Sequence, residues 1–119
     1  MTVAGFGFRA AATLESLRGA LAAAGGGRVD ALAAPKDKVH AAPLSALAAA
    51  LDVPIHGVAP ASLEAQSTLT PAGPNARRYG KGSVAEAAAL AAAGRGARLR
   101  GPRSVSPDGC ATCALAENP

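Results

Sequence analysis

Basic side chains and glycines lie beside the start of one strongly predicted helix. Ser83 and Glu86 are spaced as a capping box, in which the serine hydroxyl accepts from the Glu86 amide and the carboxylate accepts from the Ser83 amide. The glycine-rich turn before them carries Lys81, with Arg77 upstream. Because the first amides of a helix are unpaired and the helix dipole is positive there, this turn is a candidate anion site. A capping box needs no ligand, so a purely structural interpretation stays open.

A second group of candidates follows the second predicted strand. Residues 35–40 read Pro-Lys-Asp-Lys-Val-His, a polar loop directly after an apolar run. Ligands of open α/β sheets bind at the C-terminal ends of strands. Lys38 and His40 are therefore candidates for acid–base or carboxylate-binding chemistry, although a solvated connecting loop also accounts for them.

Three familiar chemical motifs are incomplete. Cys110 and Cys113 have CxxC spacing but lack a second pair of ligands, so we expect reduced thiols and no metal. Gly82 follows Gly-Lys where a phosphate-binding loop needs Ser or Thr, and Ala10 occupies the third glycine position of a dinucleotide fingerprint. The sequence therefore predicts no metal site and no bound cofactor.

Charge and composition restrict the class of partner. The 119 residues carry a net charge of +4, and residues 77–103 hold seven Lys and Arg against Glu86 alone. Such a basic region favours an acidic small molecule or nucleic acid. Aromatic residues are only 3%, too few for base stacking, which argues against nucleic acid. No apolar run approaches the roughly 20 residues that span a bilayer, and the N-terminus lacks a signal pattern, so a cytoplasmic protein is expected.

Apolar strands alternate with helical segments along most of the chain. Strands are predicted over residues 2–8, 29–34, 53–58, 97–101 and 110–116. Helices are predicted over residues 14–24, 44–51, 61–66 and 84–93, the first capped by Thr13. Residues 102–109 are predicted as a turn and 117–119 as a frayed tail. The alternation predicts an α/β domain with a mixed, mostly parallel sheet and one antiparallel pairing between the last two strands.

The order of three motifs resembles a known family. Residues 80–90 read Gly-Lys-Gly-Ser-Val-Ala-Glu-Ala-Ala-Ala-Leu, preceded by Thr70-Pro71 and by an opening Gly-Phe-Gly-Phe-Arg at residues 5–9. With Lys38 as a matching mid-chain lysine, this order is similar to the CobE/CbiG C-terminal family of cobalamin biosynthesis. The resemblance covers nearly the whole chain. It implies a three-layer α/β/α fold and a single domain over residues 1–119.

The same resemblance implies a role at the precorrin stage of corrin-ring assembly. The expected function is to bind or deliver a polycarboxylated tetrapyrrole, a precorrin or corrinoid intermediate. One alternative is lactone opening of the kind attributed to cobalt-precorrin-5A hydrolases, with Lys38 or His40 acting together with Glu86. A second alternative is a module that docks onto another enzyme of the pathway.

The ligand is expected where the loop after the first strand, the Lys38 loop and the 80–83 turn converge, at the C-terminal ends of the first strands. The candidate binding residues have basic or hydroxyl side chains or lie at the start of the predicted helix. They are Arg9, Lys38, Thr70, Arg77, Lys81, Gly82, Ser83 and Glu86.

Overall fold

Strands and helices alternate in the first half of the chain, and short strands dominate the second. The structure is a computed structural model that describes residues 1–69 and 83–119. Its strands are β1 (Thr2–Phe8), β2 (Ala31–Pro35), β3 (Ile55–Val58), β4 (Arg98–Leu99), β5 (Ser104–Val105) and β6 (Ala111–Glu117). Its helices are α1 (Leu14–Ala23), α2 (Ala42–Leu51), α3 (Pro60–Glu64) and α4 (Val84–Ala93), and a 3-10 turn, Lys36–Lys38, follows β2.

The six described strands form one mixed sheet in the order β3-β2-β1-β6-β4, with β5 also paired to β6. β1 and β2 are parallel, as are β2 and β3, whereas β6 is antiparallel to β1, β4 and β5. The α/β class and the mixed sheet are confirmed. Parallel pairings are nevertheless the minority. The connections among β4, β5 and β6 are too short for parallel crossovers, so these strands pair antiparallel.

Local sequence accounts for the ends of α1 and α2. The Thr13 hydroxyl accepts from the Ser16 amide, and the Ser16 hydroxyl accepts from the Thr13 amide at 3.0 Å, which completes a capping box. Pro43 occupies the first turn of α2, where its missing N–H costs nothing. Asp52 ends that helix with a left-handed φ of 56°. Both predicted helices are confirmed to within one or two residues.

The helices cover both faces of the sheet and so confirm the three-layer fold. α1 and α2 pack against one face, which we call the leucine face after its large buried side chains: Phe6, Leu17, Leu21, Leu32, Leu44 and Leu47. α3 and α4 pack against the other, which we call the alanine face: Val3, Ala31, Leu63, Ala88, Ala89 and Ala116. Residues alternate between faces along β1, as the twofold period of a strand requires.

α4 rests directly on the backbone of β1. A Cβ placed on Gly5 would collide with the Ala85 carbonyl oxygen and would lie 2.5 Å from the Ala89 amide nitrogen. Only a residue without a side chain leaves room for this helix. Gly5 thus permits the close approach of the α4 backbone to β1.

Two predictions for the end of the chain are wrong. The predicted turn over residues 102–109 contains β5, which pairs with Thr112 and Cys113 of β6. The predicted frayed tail is tied down by Asn118. Its side-chain amide donates to the Ala93 carbonyl at 2.7 Å, and its backbone exchanges hydrogen bonds with Met1. The partners of Asn118 lie far away in sequence, where no local pattern reports them. β5 lies close to its partners in β6, but a strand of only two residues is too short to show the alternation by which strands are predicted.

No helix in residues 1–69 or 83–119 is both long enough and apolar enough to cross a membrane.

Candidate functional site

Two loops meet at the edge of the sheet where the parallel strands β1 and β2 end. Phe8 closes β1, and the Lys36–Lys38 turn follows β2 directly. The Lys38 Nζ atom lies over the Phe8 ring, 5.6 Å from its centroid, within the range of a cation–π contact. Both side chains are half-buried, whereas Arg9 is exposed. The Arg9 amide donates to the Cys110 carbonyl at 2.9 Å, which fixes the backbone of the loop.

The Lys36–Lys38 turn is seated against the edge strand β3. A Cβ on Gly57 would lie 3.1 Å from Val39 Cγ1 and 3.4 Å from the Lys36 Cα, so the turn packs on a strand position that has no side chain. A cavity of about 270 Å³ opens beside the turn. It is lined by Pro35, Lys36, Asp37, Val58 and Pro60.

α4 begins at the same edge of the sheet but on the opposite face. A Cβ on Gly7, the penultimate residue of β1, would lie 3.6 Å from the Val84 Cβ. Phe8 packs against the leucine face, whereas α4 covers the alanine face. Ser83 is buried, and its hydroxyl accepts from the Glu86 amide at 3.4 Å, so the predicted N-cap is confirmed. The reciprocal half of the predicted capping box, from the Ser83 amide to the Glu86 carboxylate, is not formed between these two described residues. The Ser83 hydroxyl is thus committed to the helix.

The Glu86 carboxylate fastens two connections to the first turn of α4. The side chain is fully buried, and its Oε1 accepts from the Leu69 amide at 2.6 Å while Oε2 accepts from the Arg103 amide at 2.8 Å. A buried carboxylate is tolerated when such donors satisfy it. Its negative charge also lies where the helix dipole is positive, which partly compensates the anion-attracting end of α4.

A second carboxylate, Asp108, fastens the β5–β6 connection to the first turn of α1. It accepts hydrogen bonds from the hydroxyls of Ser106 and Ser16, both at 2.6 Å, and from the Cys110 amide at 3.0 Å. These hydrogen bonds, led by the one from Ser106, lower the pKa of Asp108 from 3.8 to about 2. Sequence reasoning missed this residue because Ser16 is 92 positions away.

Comparison with known proteins assigns the family. The model of the family described as "Cobalamin synthesis G C-terminus" matches residues 2–116. The chain belongs to this family. It is accordingly a protein of cobalamin biosynthesis, as the resemblance predicted. No curated protein matches the chain.

Solved structures of the cobalamin synthesis G C-terminus type share the fold. One is the 1.7 Å crystal structure of CobE, a protein of the cobalamin (vitamin B12) biosynthetic pathway. It is 36% identical, with a TM-score of 0.84 over 100% of this chain and 91% of that one. A second is cobalamin biosynthesis protein chiG from Agrobacterium tumefaciens strain C58, 37% identical, with a TM-score of 0.72 over 99% and 98% of the two chains.

A third structure, a putative cobalamin biosynthesis protein G homolog from Sulfolobus solfataricus, is similar in fold. It is 20% identical, with a TM-score of 0.67 over 97% of this chain and 36% of that longer one.

The predicted site residues fall into four groups. Lys38 and Arg9 lie at the predicted edge of the sheet. Ser83 and Glu86 are buried in the start of α4. His40 is exposed in the loop before α2, and none of the contacts recorded for the described residues joins it to Lys38. The remaining candidates lie outside the described residues: Thr70, Arg77, Lys81 and Gly82.

The two cysteines are free and differ in environment. Cys113 is buried inside β6, and burial raises the pKa of its thiol, whereas Cys110 precedes the strand and is half-buried. Within residues 1–69 and 83–119, no three His, Cys, Asp or Glu side chains are grouped to hold a metal ion. The absence of a metal site from the whole chain remains a prediction.

Proposed function

We propose that this member of the cobalamin synthesis G C-terminus family binds a polycarboxylated precorrin-type tetrapyrrole and delivers it to another enzyme of the pathway. The proposal takes residues 1–119 as one domain acting in the cytoplasm. One observation carries it: the Lys38 ammonium stands at the C-terminal edge of the parallel strands, and no carboxylate in the described residues pairs with it. A cation at this position without a recorded ion pair in the described residues is suited to an anionic ligand.

A macrocycle with several carboxylates can use contacts that are individually weak. An exposed ion pair contributes about 0.2–1 kcal/mol, too little to select a ligand alone. Lys38 and Arg9 follow neighbouring strands, so one rigid molecule can place separate carboxylates on both. Contacts made within one rigid molecule reinforce each other.

The start of α4 contributes in a different way under this proposal. Ser83 and Glu86 are buried and already hydrogen-bonded, so we assign them to holding the helix in place rather than to contact with the ligand. In the same proposal Arg77 and Lys81, with Thr70 and Gly82, supply further ligand contacts from the basic segment that precedes Ser83 in sequence.

Titration of the purified chain with precorrin-stage tetrapyrroles, followed by absorbance, tests the proposal. Uroporphyrin and coproporphyrin serve as stable probes. They have the same type of ring, and uroporphyrin carries more carboxylates than coproporphyrin does. We expect binding that is tighter for uroporphyrin and that weakens as salt rises. Product analysis of the precorrin samples tests the alternative of lactone opening. The appearance of a lactone-opened product would establish a hydrolase.

A matched pair of variants locates the site. Lys38→Ala should weaken binding about three- to five-fold, whereas Lys36→Ala on the same turn should change it less than about two-fold. The difference in affinity between the Lys38→Ala and Lys36→Ala variants should become smaller at high salt. Unchanged binding in Lys38→Ala, together with loss of binding on replacing Arg98 and Arg100, would place the site at the opposite end of the sheet and contradict the proposal.

A further inference from the structure

The Phe8 ring lies against the Lys38 ammonium at the predicted ligand site. A lysine side chain has four flexible carbons, and ordering it on a ligand costs conformational entropy. Within the described part of the chain, the Phe8 ring is the partner that the structure records for the Lys38 ammonium. The ring therefore favours one position for the Lys38 charge, which forms no ion pair with a carboxylate of residues 1–69 or 83–119.

Phe8 is itself well fixed. It is the last residue of β1, opposite Ala111 of β6, and it packs against the buried leucine face. Lys38 is carried by the turn that packs on Gly57. The ammonium and the ring thus reach each other from two backbone segments that are both held by the sheet, and the contact does not depend on a free loop.

We infer that Phe8 is a positioning residue that holds the Lys38 ammonium, through its ring face, where a ligand carboxylate can pair with it. The inference rests on the proposed function and adds a determinant of affinity to the same site. The ring attracts the cation through its quadrupole without neutralising it, so the charge stays available to a carboxylate on its open side. A salt bridge at this position would instead compete with the ligand.

The test uses the full chain and uroporphyrin as the probe. Phe8→Leu keeps an apolar side chain against the leucine face but removes the ring, whereas Phe8→Tyr keeps the ring. Since an exposed cation–π contact is a small effect, Phe8→Leu should weaken uroporphyrin binding about two- to five-fold. Phe8→Tyr should bind as the parent does.

A double-mutant cycle separates positioning from a general effect on the fold. Lys38→Met removes the charge at nearly constant length, and in this background Phe8→Leu should have no further effect on binding. In the absence of ligand, the Lys38 ε-methylene protons should show an upfield ring-current shift by NMR in the parent and in Phe8→Tyr. That shift should be lost in Phe8→Leu.

The possible failures are distinguishable. If Lys38→Met binds uroporphyrin as the parent does, the proposed site is wrong and the positioning role falls with it. If Lys38→Met weakens binding but Phe8→Leu does not, or weakens it equally in both backgrounds, the positioning role is overturned and the proposed function stands. A missing ring-current shift in the parent would also overturn the positioning role.

Discussion

The two faces of the sheet hold their helices in different ways. On the alanine face, α4 lies against the backbone of β1 at Gly5, and a fully buried carboxylate, Glu86, ties its first turn to two connections. On the leucine face, large side chains separate α1 and α2 from the strands, and the tie is Asp108, a carboxylate in contact with solvent. A backbone contact cannot adjust to a change, whereas side chains can repack.

The difference bears on where a ligand can act. On the alanine face, both oxygens of Glu86 accept hydrogen bonds from backbone amides, so this carboxylate already has partners within the chain. Lys38 approaches the ring of Phe8 on the leucine face, where the charge has no carboxylate partner in the described residues. The alanine face thus holds α4 in place, whereas the leucine face carries the Lys38 ammonium, which is available to a ligand.

The largest effect is expected where helix meets strand. Gly5→Ala would drive a methyl group into the Ala85 carbonyl, a backbone atom that cannot rotate away, and should cost about 3 kcal/mol of unfolding free energy. The matched control is Gly7→Ala, whose methyl would meet the Thr112 hydroxyl at 3.0 Å, a side chain that can move. We expect less than about 1 kcal/mol there. Equal losses in urea unfolding would show that the backbone contact does not set the difference.

The second-largest loss of stability is expected at the buried Glu86 carboxylate. Glu86→Gln replaces one acceptor oxygen by a donor that faces a backbone amide, and should cost about 2 kcal/mol. Glu64→Gln, on an exposed position of α3, should stay within about 0.5 kcal/mol of the parent. Urea unfolding measures both. A tolerant Glu86→Gln variant would mean that the two amides are satisfied by water instead.

A smaller loss is expected at the helix cap. Ser83→Ala removes the acceptor for the Glu86 amide and should cost about 1 kcal/mol. Ser45→Ala, at an exposed position inside α2, should be neutral or slightly stabilising because alanine is the better helix former. Thermal unfolding of the two variants compares a cap with a helix interior. Equal melting temperatures of the Ser83→Ala and Ser45→Ala variants would contradict the prediction.

Of the four side-chain changes, loss of the Asp108 carboxylate should have the smallest effect on stability at neutral pH. The informative measurement is how that effect depends on pH. The pKa of Asp108 is lower in the folded chain, about 2 against 3.8, so its stabilising effect is present above pH 3.8 and is lost as the pH falls towards 2. The melting temperatures of the parent and Asp108→Asn should therefore differ at neutral pH and converge in acid. A difference that stays constant from neutral pH to about 2 would exclude the hydrogen-bonded carboxylate as its cause.

Elements with local determinants could be predicted from the sequence. Thr13 and Ser83 begin helices with their own side chains, and Asp52 ends one, because each of these effects acts within a few residues. The placement of Lys38 and Arg9 at one edge of the sheet followed from the rule that parallel strands end together.

Very short elements and features that depend on distant partners could not be predicted. β5 has only two residues, too few to show the alternation of a strand, and Asn118 is ordered because the end of α4, 25 residues away, lies beside it. The pairing of Lys38 with Phe8 needs the register of β1 against β2, which side-chain patterns alone do not set. The spacing of Ser83 and Glu86 predicts a capping role for the Glu86 carboxylate, whereas the carboxylate accepts from the Leu69 and Arg103 amides, each 17 residues away.

The central place of β6 has a consequence for biosynthesis of the chain. Among the described strands it is the last to leave the ribosome, yet it lies between β1 on one side and both β4 and β5 on the other. Until it emerges, the nascent β1–β2–β3 unit exposes an open edge seven residues long, which can template pairing with other chains. Pairing the first strand with the last also requires contacts of very long sequence separation, which slow folding. The hazardous interval for aggregation therefore begins when β3 is complete and ends when β6 docks.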